Sequence, residues 1–130
     1  MQALIYGFGK TGASFQRYLR KKNISFDIFD AKIKKYNFEF NIQDYDQVYC
    51  SPGISRKIFD DIQTHTEVFT DIDIFFNEDR SIKIGITGTN GKSTTCFHVS
   101  QILKERFEVN LIGNIGEPVL DYLNNGAKYS

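Results

Sequence analysis

Short apolar runs alternate with segments of helical periodicity in the first part of the chain, which is typical of a parallel α/β sheet. The runs predict four strands, at 3–6, 25–29, 47–50 and 66–69. Between the first two, Phe15, Tyr18 and Leu19 recur at helical spacing and predict a helix over about 10–22. Ser55 is placed to cap a second helix, which is predicted to bury Ile58, Phe59 and Ile62.

Three segments between and after these elements are less regular. Residues 31–45 show no clear periodicity, and no element is predicted there. Residues 70–76 are compatible with a short helix that points Ile72, Phe75 and Phe76 inward. The polar, non-periodic run 77–81 is typical of a linker. We therefore expect two domains, 1–80 and 81–130.

The second domain has few elements. Its pattern predicts strands at 82–87 and 108–112, a helix over about 92–106, a helix that opens at Pro118 and a strand that begins at Lys128. Cys96, Val99 and Leu103 give the first of these helices an apolar stripe. A parallel sheet of two strands is not expected to be stable alone, so we expect the chain to be a piece of a longer protein.

A glycine-rich loop lies between the predicted strand 82–87 and the helix that follows. Its residues are Gly88, Thr89, Asn90, Gly91, Lys92, Ser93 and Thr94. Glycine lets phosphate oxygens approach the backbone, Lys92 supplies a cation, and the Ser93 hydroxyl is a hard ligand for Mg²⁺. The strict phosphate-loop pattern needs glycine at position 86, where this chain has Ile86. The loop is a variant that predicts phosphate binding; an ordinary strand-to-helix turn is the alternative.

A second glycine motif follows the first predicted strand. It reads Gly7, Phe8, Gly9, Lys10, Thr11, Gly12 and matches G-x-G-x-x-G, with Asp30 at the end of the next strand. This context predicts a Rossmann-like nucleotide site. Asp30 would bind a ribose hydroxyl of a dinucleotide, or the base or sugar of a smaller nucleotide. A tight turn without a ligand is the alternative.

Two further loops follow predicted strands, where ligands of open α/β sheets bind. The first is Ser51, Pro52, Gly53, Ile54, and the second is Gly113, Asn114, Ile115, Gly116. Asn114 could donate to a substrate oxygen or hold its own loop by capping. Taken alone, the first loop is better explained as a turn.

Charge and cysteine content exclude several classes of protein. Sixteen basic and sixteen acidic residues cancel, which gives no electrostatic reason to expect a nucleic-acid or membrane partner. No apolar run is long enough to cross a bilayer, and no secretory signal pattern opens the chain, so a cytoplasmic protein is predicted. Cys50 and Cys96 lack metal-ligand spacing and are expected to be small buried thiols.

The order of the four loops resembles the Mur ligases, and the Ser-Pro-Gly-Ile and Gly-Asn-Ile-Gly blocks are most similar to their D-glutamate-adding branch. The resemblance implies a Rossmann-like domain for a UDP-linked substrate at 1–80. The start of the P-loop ATPase domain, the central domain of the family, would follow at 81–130. It implies a parent ligase that uses ATP and Mg²⁺ to join D-glutamate to UDP-N-acetylmuramoyl-L-alanine through an acyl phosphate in peptidoglycan precursor synthesis. The parent is expected to be a monomer.

The resemblance also implies roles for individual residues. Residues for the UDP-linked substrate would be Gly9, Lys10 and Thr11 at the diphosphate, Asp30 and Ala31 near the uracil, Ser51, Pro52 and Gly53 beside the uridine, and Asn114 on the muramoyl part. ATP would bind to residues 88–94, with Lys92 as the catalytic cation and Ser93 as a ligand of Mg²⁺. The family often has Thr-Arg after the aspartate, where this chain has Ala31 and Lys32.

The family's remaining catalytic parts would lie beyond Ser130, so these residues alone are not expected to ligate D-glutamate. Three other interpretations remain. They are an NAD- or nucleotide-binding Rossmann module without catalysis, an ATP-dependent ligase for folate or another Mur precursor, and a fragment without a ligand. The glycine motif at 7–12 disfavours a folate ligase, because those enzymes begin directly with the ATPase domain.

Overall fold

A computed structural model describes residues 1–113 and 117–130, which form two compact units, Met1–Ile74 and Phe75–Ser130. The elements are β1 (Gln2–Tyr6), α1 (Lys10–Lys21), β2 (Ser25–Phe29), β3 (Gln47–Cys50), α2 (Arg56–Gln63), β4 (Glu67–Phe69), α3 (Asp71–Glu78) and α4 (Lys92–Lys104). Short 3₁₀ turns lie at Lys34–Tyr36, Ile42–Asp44 and Val119–Tyr122. The division into domains at 1–80 and 81–130 stays a prediction.

The first unit is built on one parallel sheet. Its strand order is β2-β1-β3-β4, and every neighbouring pair is parallel. The chain leaves β1 in one direction to form β2 and then crosses back over β1 to form β3. The order therefore reverses between β1 and β3, where open α/β sheets bind their ligands. The four predicted strands and the α/β class are confirmed.

Both faces of this sheet are covered at its two central strands, where Leu4, Ile5, Val48 and Tyr49 are buried. On one face, Phe15 of α1 is fully buried, and its ring centroid lies 5.5 Å from that of Tyr49. On the other, Leu4 and Val48 form a buried cluster with Ile62 of α2. The core of the unit is thus divided between two layers of side chains, one under each helix.

Helix α1 ends at Lys21, close to the predicted end at about residue 22. Asn23 adopts a left-handed conformation with φ of 55°. Its amide donates to the carbonyl of Arg20 at 3.1 Å, and the amide of Ile24 donates to that of Leu19 at 3.0 Å. These two bonds form a Schellman motif, which satisfies the last carbonyls and turns the chain into β2.

The segment without predicted elements, 31–45, is held by aromatic packing. Phe40 lies 4.8 Å from Phe29 and 6.1 Å from Tyr45, measured between ring centroids. Tyr45 also donates a hydrogen bond to Asp27 at 2.8 Å. Burial and that bond raise the pKa of Tyr45 to about 12. Phe29 and Asp27 belong to β2 and lie outside this segment, so the periodicity of the segment itself could not predict the packing.

Three residues predicted to point inward do not. Ile58 is 40% exposed, Ile72 47% and Phe76 61%. In α3, Phe75 is buried as predicted, and Ile74 is buried rather than Ile72 or Phe76. Four apolar side chains within five helical positions cannot share one stripe, so packing had to select among them. The predicted linker 77–81 includes the last residues of α3 and the buried Asp79.

The strands predicted at 82–87 and 108–112 are not formed as ladders. Ile82 and Val109 each make a single parallel bridge to Tyr129, which lies between them. The amide of Ile84 also donates to the Ser130 carbonyl at 2.8 Å. Pairing through a three-residue segment gives too few hydrogen bonds for regular strands. The helix predicted from Pro118 is shorter than expected, a 3₁₀ turn that buries Val119 and Leu120.

The second unit is also held by a buried carboxylate. Asp79 accepts hydrogen bonds from the amides of Ser81 at 2.9 Å and Asn124 at 2.7 Å, and its carboxylate lies 3.4 Å from Lys83 Nζ. Burial raises the pKa of Asp79, but hydrogen bonds from the Ser81 hydroxyl and the two amides, together with the Lys83 charge, outweigh it and the net shift is downward. The carboxylate thereby joins the segment after α3 to the turn at 124.

We expect Gly12→Ala to destabilise the first unit strongly. A Cβ at position 12 would lie 2.3 Å from the carbonyl oxygen of Gly7, a backbone atom that cannot move without disturbing β1. Overpacking of this kind costs about 1–3 kcal/mol or more. Urea unfolding monitored by circular dichroism measures the loss. Gly9→Ala is the matched control, since a Cβ there meets nothing within 4 Å. Equal stability of the two variants would contradict the expectation.

Candidate functional site

A cavity of about 440 Å³ opens at the carboxyl ends of β1, β2 and β3. It is lined by Tyr6 at the end of β1, by residues 7–11 after β1, 30–32 after β2 and 51–55 after β3, and by Ile58 of α2. The cavity contains all of the residues predicted for the UDP-linked substrate except Asn114, namely Gly9, Lys10, Thr11, Asp30, Ala31, Ser51, Pro52 and Gly53. The reversal of strand order creates this space, because the helices after β1 and β3 lie on opposite faces.

The glycine loop after β1 is bonded on both sides to neighbouring strands. The amide of Gly7 donates to the Phe29 carbonyl at 2.8 Å, and the Ser51 hydroxyl donates to the Gly7 carbonyl at 2.8 Å. Gly7 has φ of 90°, a left-handed conformation that favours glycine. Gly12 brings α1 close against this loop. The loop is therefore fixed before any ligand arrives.

Asp30 joins the glycine loop to the turn after β2. One carboxylate oxygen accepts from the Phe8 amide at 2.8 Å, and the other accepts from the Lys32 amide at 2.8 Å. The bonds from Phe8 and Lys32 lower the pKa of Asp30, and the Lys32 charge adds to them. The sequence predicted a ligand role for Asp30; its protein partners are backbone amides of two loops.

The loop after β3 forms the opposite wall. The Ser51 amide donates to the Tyr6 carbonyl at 3.1 Å and continues the pairing of β1 with β3 by one residue. The amide of Ile54 then donates to the Ser51 carbonyl at 3.2 Å, which closes the turn. Ser55 caps α2 as predicted, since its hydroxyl accepts from the Ile58 amide at 3.4 Å. Pro52 and Gly53 stay exposed at the rim.

The electrostatics of the cavity suit an anion. Lys10 and Lys32 both line it, and α1 begins at Lys10 with its amino end at the cavity. Amides in the first turn of a helix have no partner within the helix, and the helix dipole adds positive potential there. Asp30 is the one acidic side chain among the lining residues. Two cations and the helix amides together favour a phosphate group.

The second predicted site, residues 88–94, lies in the other unit and is exposed. Gly88 and Gly91 have φ of 152° and 73°, so both glycines adopt conformations that other residues avoid. Helix α4 begins at Lys92, and the Thr95 amide donates to the Gly91 carbonyl at 2.9 Å. Lys92 Nζ donates to the Gly88 carbonyl at 3.0 Å, across the mouth of the loop.

Ser93 is the second residue of α4 and offers a hydroxyl at the helix start. Among the described residues, no group of three or more His, Cys, Asp or Glu side chains could hold a metal ion. Mg²⁺ prefers oxygen ligands and is often held mainly by nucleotide phosphates and water. The Ser93 hydroxyl fits Mg²⁺ as one ligand of an ion bound together with a nucleotide.

Other predicted features have simple outcomes. Asn114 lies outside the described residues. Cys50 is buried, and burial raises the pKa of its thiol to about 12, so it is an inert core residue as expected. Cys96 is only partly buried. Within the described ranges, no helix is both long and apolar enough to cross a membrane.

Seven lining residues are not among the predicted ligands: Tyr6, Gly7, Phe8, Lys32, Ile54, Ser55 and Ile58. Tyr6 was interpreted only as part of a strand and Ile58 as part of the core. Phe8 occupies a variable position of its motif, which carries no prediction. The feature of the sequence that could have indicated these residues is their position close to loops that follow strands.

Comparison with known proteins places these motifs in context. UDP-N-acetylmuramoylalanine–D-glutamate ligase from Legionella pneumophila (strain Paris) is 34% identical over 97% of this chain, and that from Buchnera aphidicola subsp. Schizaphis graminum is 37% identical over 95%. The chain spans about a third of these relatives, 33% and 32% of their lengths. No protein-family model matches. The chain is related to these ligases, which confirms the Mur ligase resemblance of its motifs.

One similar solved structure is a pseudomurein peptide ligase type C from Methanothermus fervidus. The alignment covers 98% of this chain and 31% of the chain of that ligase. The TM-score is 0.49 and the sequence identity is 23%.

We expect Asp30 to stabilise the first unit in a pH-dependent way. Because its pKa is lowered in the folded state, the stabilisation is complete above the ordinary aspartate pKa of about 4 and is lost as pH falls through the folded pKa. Urea midpoints of the wild type and Asp30→Asn should therefore differ most near neutral pH and converge in acid. Asp46→Asn, which also removes a carboxylate bonded to a backbone amide, Gln2, is the control for general charge effects. A constant difference across this range would contradict the expectation.

Proposed function

We propose, from this relationship to the D-glutamate-adding ligases, that the unit Met1–Ile74 binds the uridine diphosphate part of UDP-N-acetylmuramoyl-L-alanine. The observation that supports this most directly is the cavity at the reversal of strand order, lined by the glycine loop, Asp30 and residues 51–55. The diphosphate is assigned to the start of α1, where Lys10 and the first-turn amides converge. The nucleoside is assigned to the side of the cavity between Ala31 and Pro52.

We further propose that residues 88–94 bind the phosphates of ATP. Lys92 would leave the Gly88 carbonyl to contact a phosphate, and Ser93 would be a ligand of Mg²⁺. A cation, a glycine-rich loop and a helix start at one place are suited to stabilising a phosphoryl group as it is transferred. Asn114 is assigned to the muramoyl part of the substrate, as the motif resemblance implies.

The whole protein would then be a cytoplasmic, monomeric ligase that uses ATP to activate the substrate carboxylate as an acyl phosphate. ATP would leave as ADP in that step. The amine of D-glutamate would then attack the carbonyl carbon of the acyl phosphate, and the bond from this carbon to the phosphate oxygen would break. Inorganic phosphate would leave, and the nitrogen would lose a proton as the amide bond forms. The support is the sequence relationship, which covers 97% of this chain and 33% of the first relative. Residues 1–130 would supply the UDP site and the start of the ATP site.

A dinucleotide site is the alternative. In dinucleotide-binding proteins an acidic residue at the end of the second strand accepts from ribose hydroxyls. Here both carboxylate oxygens of Asp30 already accept backbone amides at 2.8 Å. Each oxygen can still accept a second hydrogen bond, so the preference for UDP over NAD is supported by the sequence relationship to ligases of a UDP-linked substrate.

We expect isothermal titration calorimetry to show UDP binding to the chain in preference to NAD. Gly9→Ala should weaken UDP binding by at least about tenfold, or about 1.4 kcal/mol, because the added methyl group enters the cavity where the phosphates approach. The fold should tolerate it, since the new Cβ meets no protein atom within 4 Å.

Gly85→Ala is the matched control for the UDP experiment. Its Cβ is equally free of contacts, and it lies outside the cavity, so UDP affinity should be unchanged. Tighter binding of NAD than of UDP would overturn the assignment. Binding of neither nucleotide would favour a fragment without a ligand.

We expect Lys92→Ala to weaken binding of ATP with Mg²⁺ by about tenfold or more, because it removes the cation at the loop. Lys104→Ala is the control, since this lysine ends the same helix. The affinities are measured by NMR, from the shifts of the amide resonances of residues 88–94 as ATP is added. Equal effects of the two substitutions would contradict a phosphate site at this loop.

A further inference from the structure

Two Asn-Gly pairs occur in the chain, Asn90-Gly91 in the loop 88–94 and Asn125-Gly126 in a turn of the same unit. Before a glycine, the side-chain amide of asparagine is open to attack by the next backbone nitrogen, because glycine has no Cβ to block the approach. All four residues are exposed. The second unit therefore places the same chemical groups in two settings.

The glycines of the two pairs are closely alike. Gly91 has φ of 73° and Gly126 has φ of 92°, which are both left-handed conformations. A Cβ at either position would meet no atom within 4 Å, so the space around each glycine is open. Neither burial nor steric hindrance at the glycine distinguishes the two pairs.

The asparagines of the two pairs differ in their hydrogen bonds. Asn125 Nδ2 donates to Asn110 Oδ1 at 2.9 Å, and Asn125 Oδ1 accepts from Asn110 Nδ2 at 3.1 Å. The Ala127 amide also donates to Asn125 Oδ1 at 3.2 Å. In the part of the chain that the structure describes, no hydrogen bond holds the side chain of Asn90. Its Cγ is therefore free to turn toward the Gly91 nitrogen, whereas the side-chain amide of Asn125 is held by three bonds.

We propose that Asn90 is a site of spontaneous deamidation, which Asn125 resists because of its hydrogen bonds. The Gly91 nitrogen attacks Asn90 Cγ, the bond from Cγ to Nδ2 breaks, and ammonia leaves with the proton of the Gly91 nitrogen. Water then adds to either carbonyl carbon of the resulting succinimide. The bond from that carbon to the ring nitrogen breaks and the nitrogen regains a proton, which gives aspartate or isoaspartate at position 90.

The modification falls in the loop to which the ATP phosphates are assigned, so its effect on binding rests on that proposed function. Either product adds a carboxylate to the loop that contains Lys92, where it repels phosphate and competes for this cation. Isoaspartate also adds a methylene group to the main chain and displaces the amides of the loop. Deamidation of Asn90 would thus inactivate the ATP site without unfolding the chain.

Mass spectrometry of peptides from the whole chain, incubated at mildly alkaline pH, measures deamidation at both sites. We expect Asn90 to react at least about tenfold faster than Asn125, because the reaction at Asn125 must first break hydrogen bonds. Equal rates at the two asparagines, or a faster reaction at Asn125, would overturn the proposal.

Asn110→Ala tests the cause of the protection. It removes two of the three hydrogen bonds of the Asn125 side chain, so deamidation of Asn125 should become about fivefold faster or more. The rate at Asn90 should not change, and circular dichroism shows whether the variant is folded. An unaltered rate at Asn125 in the folded variant would contradict protection by these bonds. The comparison of the two sites in the wild type holds even if the variant does not fold.

ATP with Mg²⁺ separates this inference from the proposed function. At about ten times its dissociation constant, ATP should slow deamidation of Asn90 about tenfold, since only the free loop reacts, and leave the rate at Asn125 unchanged. An unaltered rate at Asn90 in a chain that binds ATP would contradict the placement of the reactive pair in the ATP site. If the chain does not bind ATP, the ATP assignment fails, and the rates without nucleotide still decide whether Asn90 is the reactive site.

Asn90→Asp carries the charge of the deamidated product and tests its effect directly. We expect it to weaken binding of ATP with Mg²⁺ by about tenfold or more, because like charges are then brought together. The circular dichroism spectrum should match that of the wild type. Unaltered ATP affinity in this variant would overturn the proposed inactivation by charge.

Discussion

The close approach of α1 to the loop after β1 is the constraint on which the first unit depends. A Cβ at Gly12 would come within 2.3 Å of the Gly7 carbonyl oxygen, so the helix can pack this near only because position 12 has no side chain. This contact sets where α1 begins and directs its first-turn amides at the cavity. It also places Phe15 and Leu19, both fully buried, under the sheet. One glycine therefore links the core of the unit to its candidate site.

The rest of the site follows from what surrounds that loop. Parallel strands bring the ends of β2 and β3 to either side of Gly7, and each contributes a side chain that fixes the loop. Because Asp30 and Ser51 are held by main-chain groups, the cavity is organised without a ligand. Preformed amides and two lysines can then bind an anion with little reorganisation. The reversal of strand order supplies the opening, and the backbone supplies most of the donors.

The second unit differs in how its elements are held. Residues 82–84 and 108–110 pair only through the segment 128–130, and Asp79 joins the chain after α3 to Asn124. The loop at 88–94 nevertheless has two glycines in conformations that favour glycine, and helix α4 begins where the sequence predicts. Local geometry at this loop depends on glycine and on α4, which is why it forms although regular strands do not flank it.

The sequence by itself determined the four strands of the sheet, the positions of α1, α2 and α4, and the glycine loops, because each rests on local periodicity, capping or glycine conformation. The resemblance of its motifs to a known family also indicated eight of the residues that line the cavity. Only the tertiary structure decided which apolar residues of α3 are buried, how the aromatic side chains of 31–45 pack, and that 82–87 and 108–112 make single bridges. It also decided the hydrogen bonds of Asp30: its partners, Phe8 and Lys32, are fixed by the folding of two loops that strand pairing brings together. Contacts between residues far apart in sequence leave no periodic trace, and both the packing and the bond from Phe8 to Asp30 depend on them.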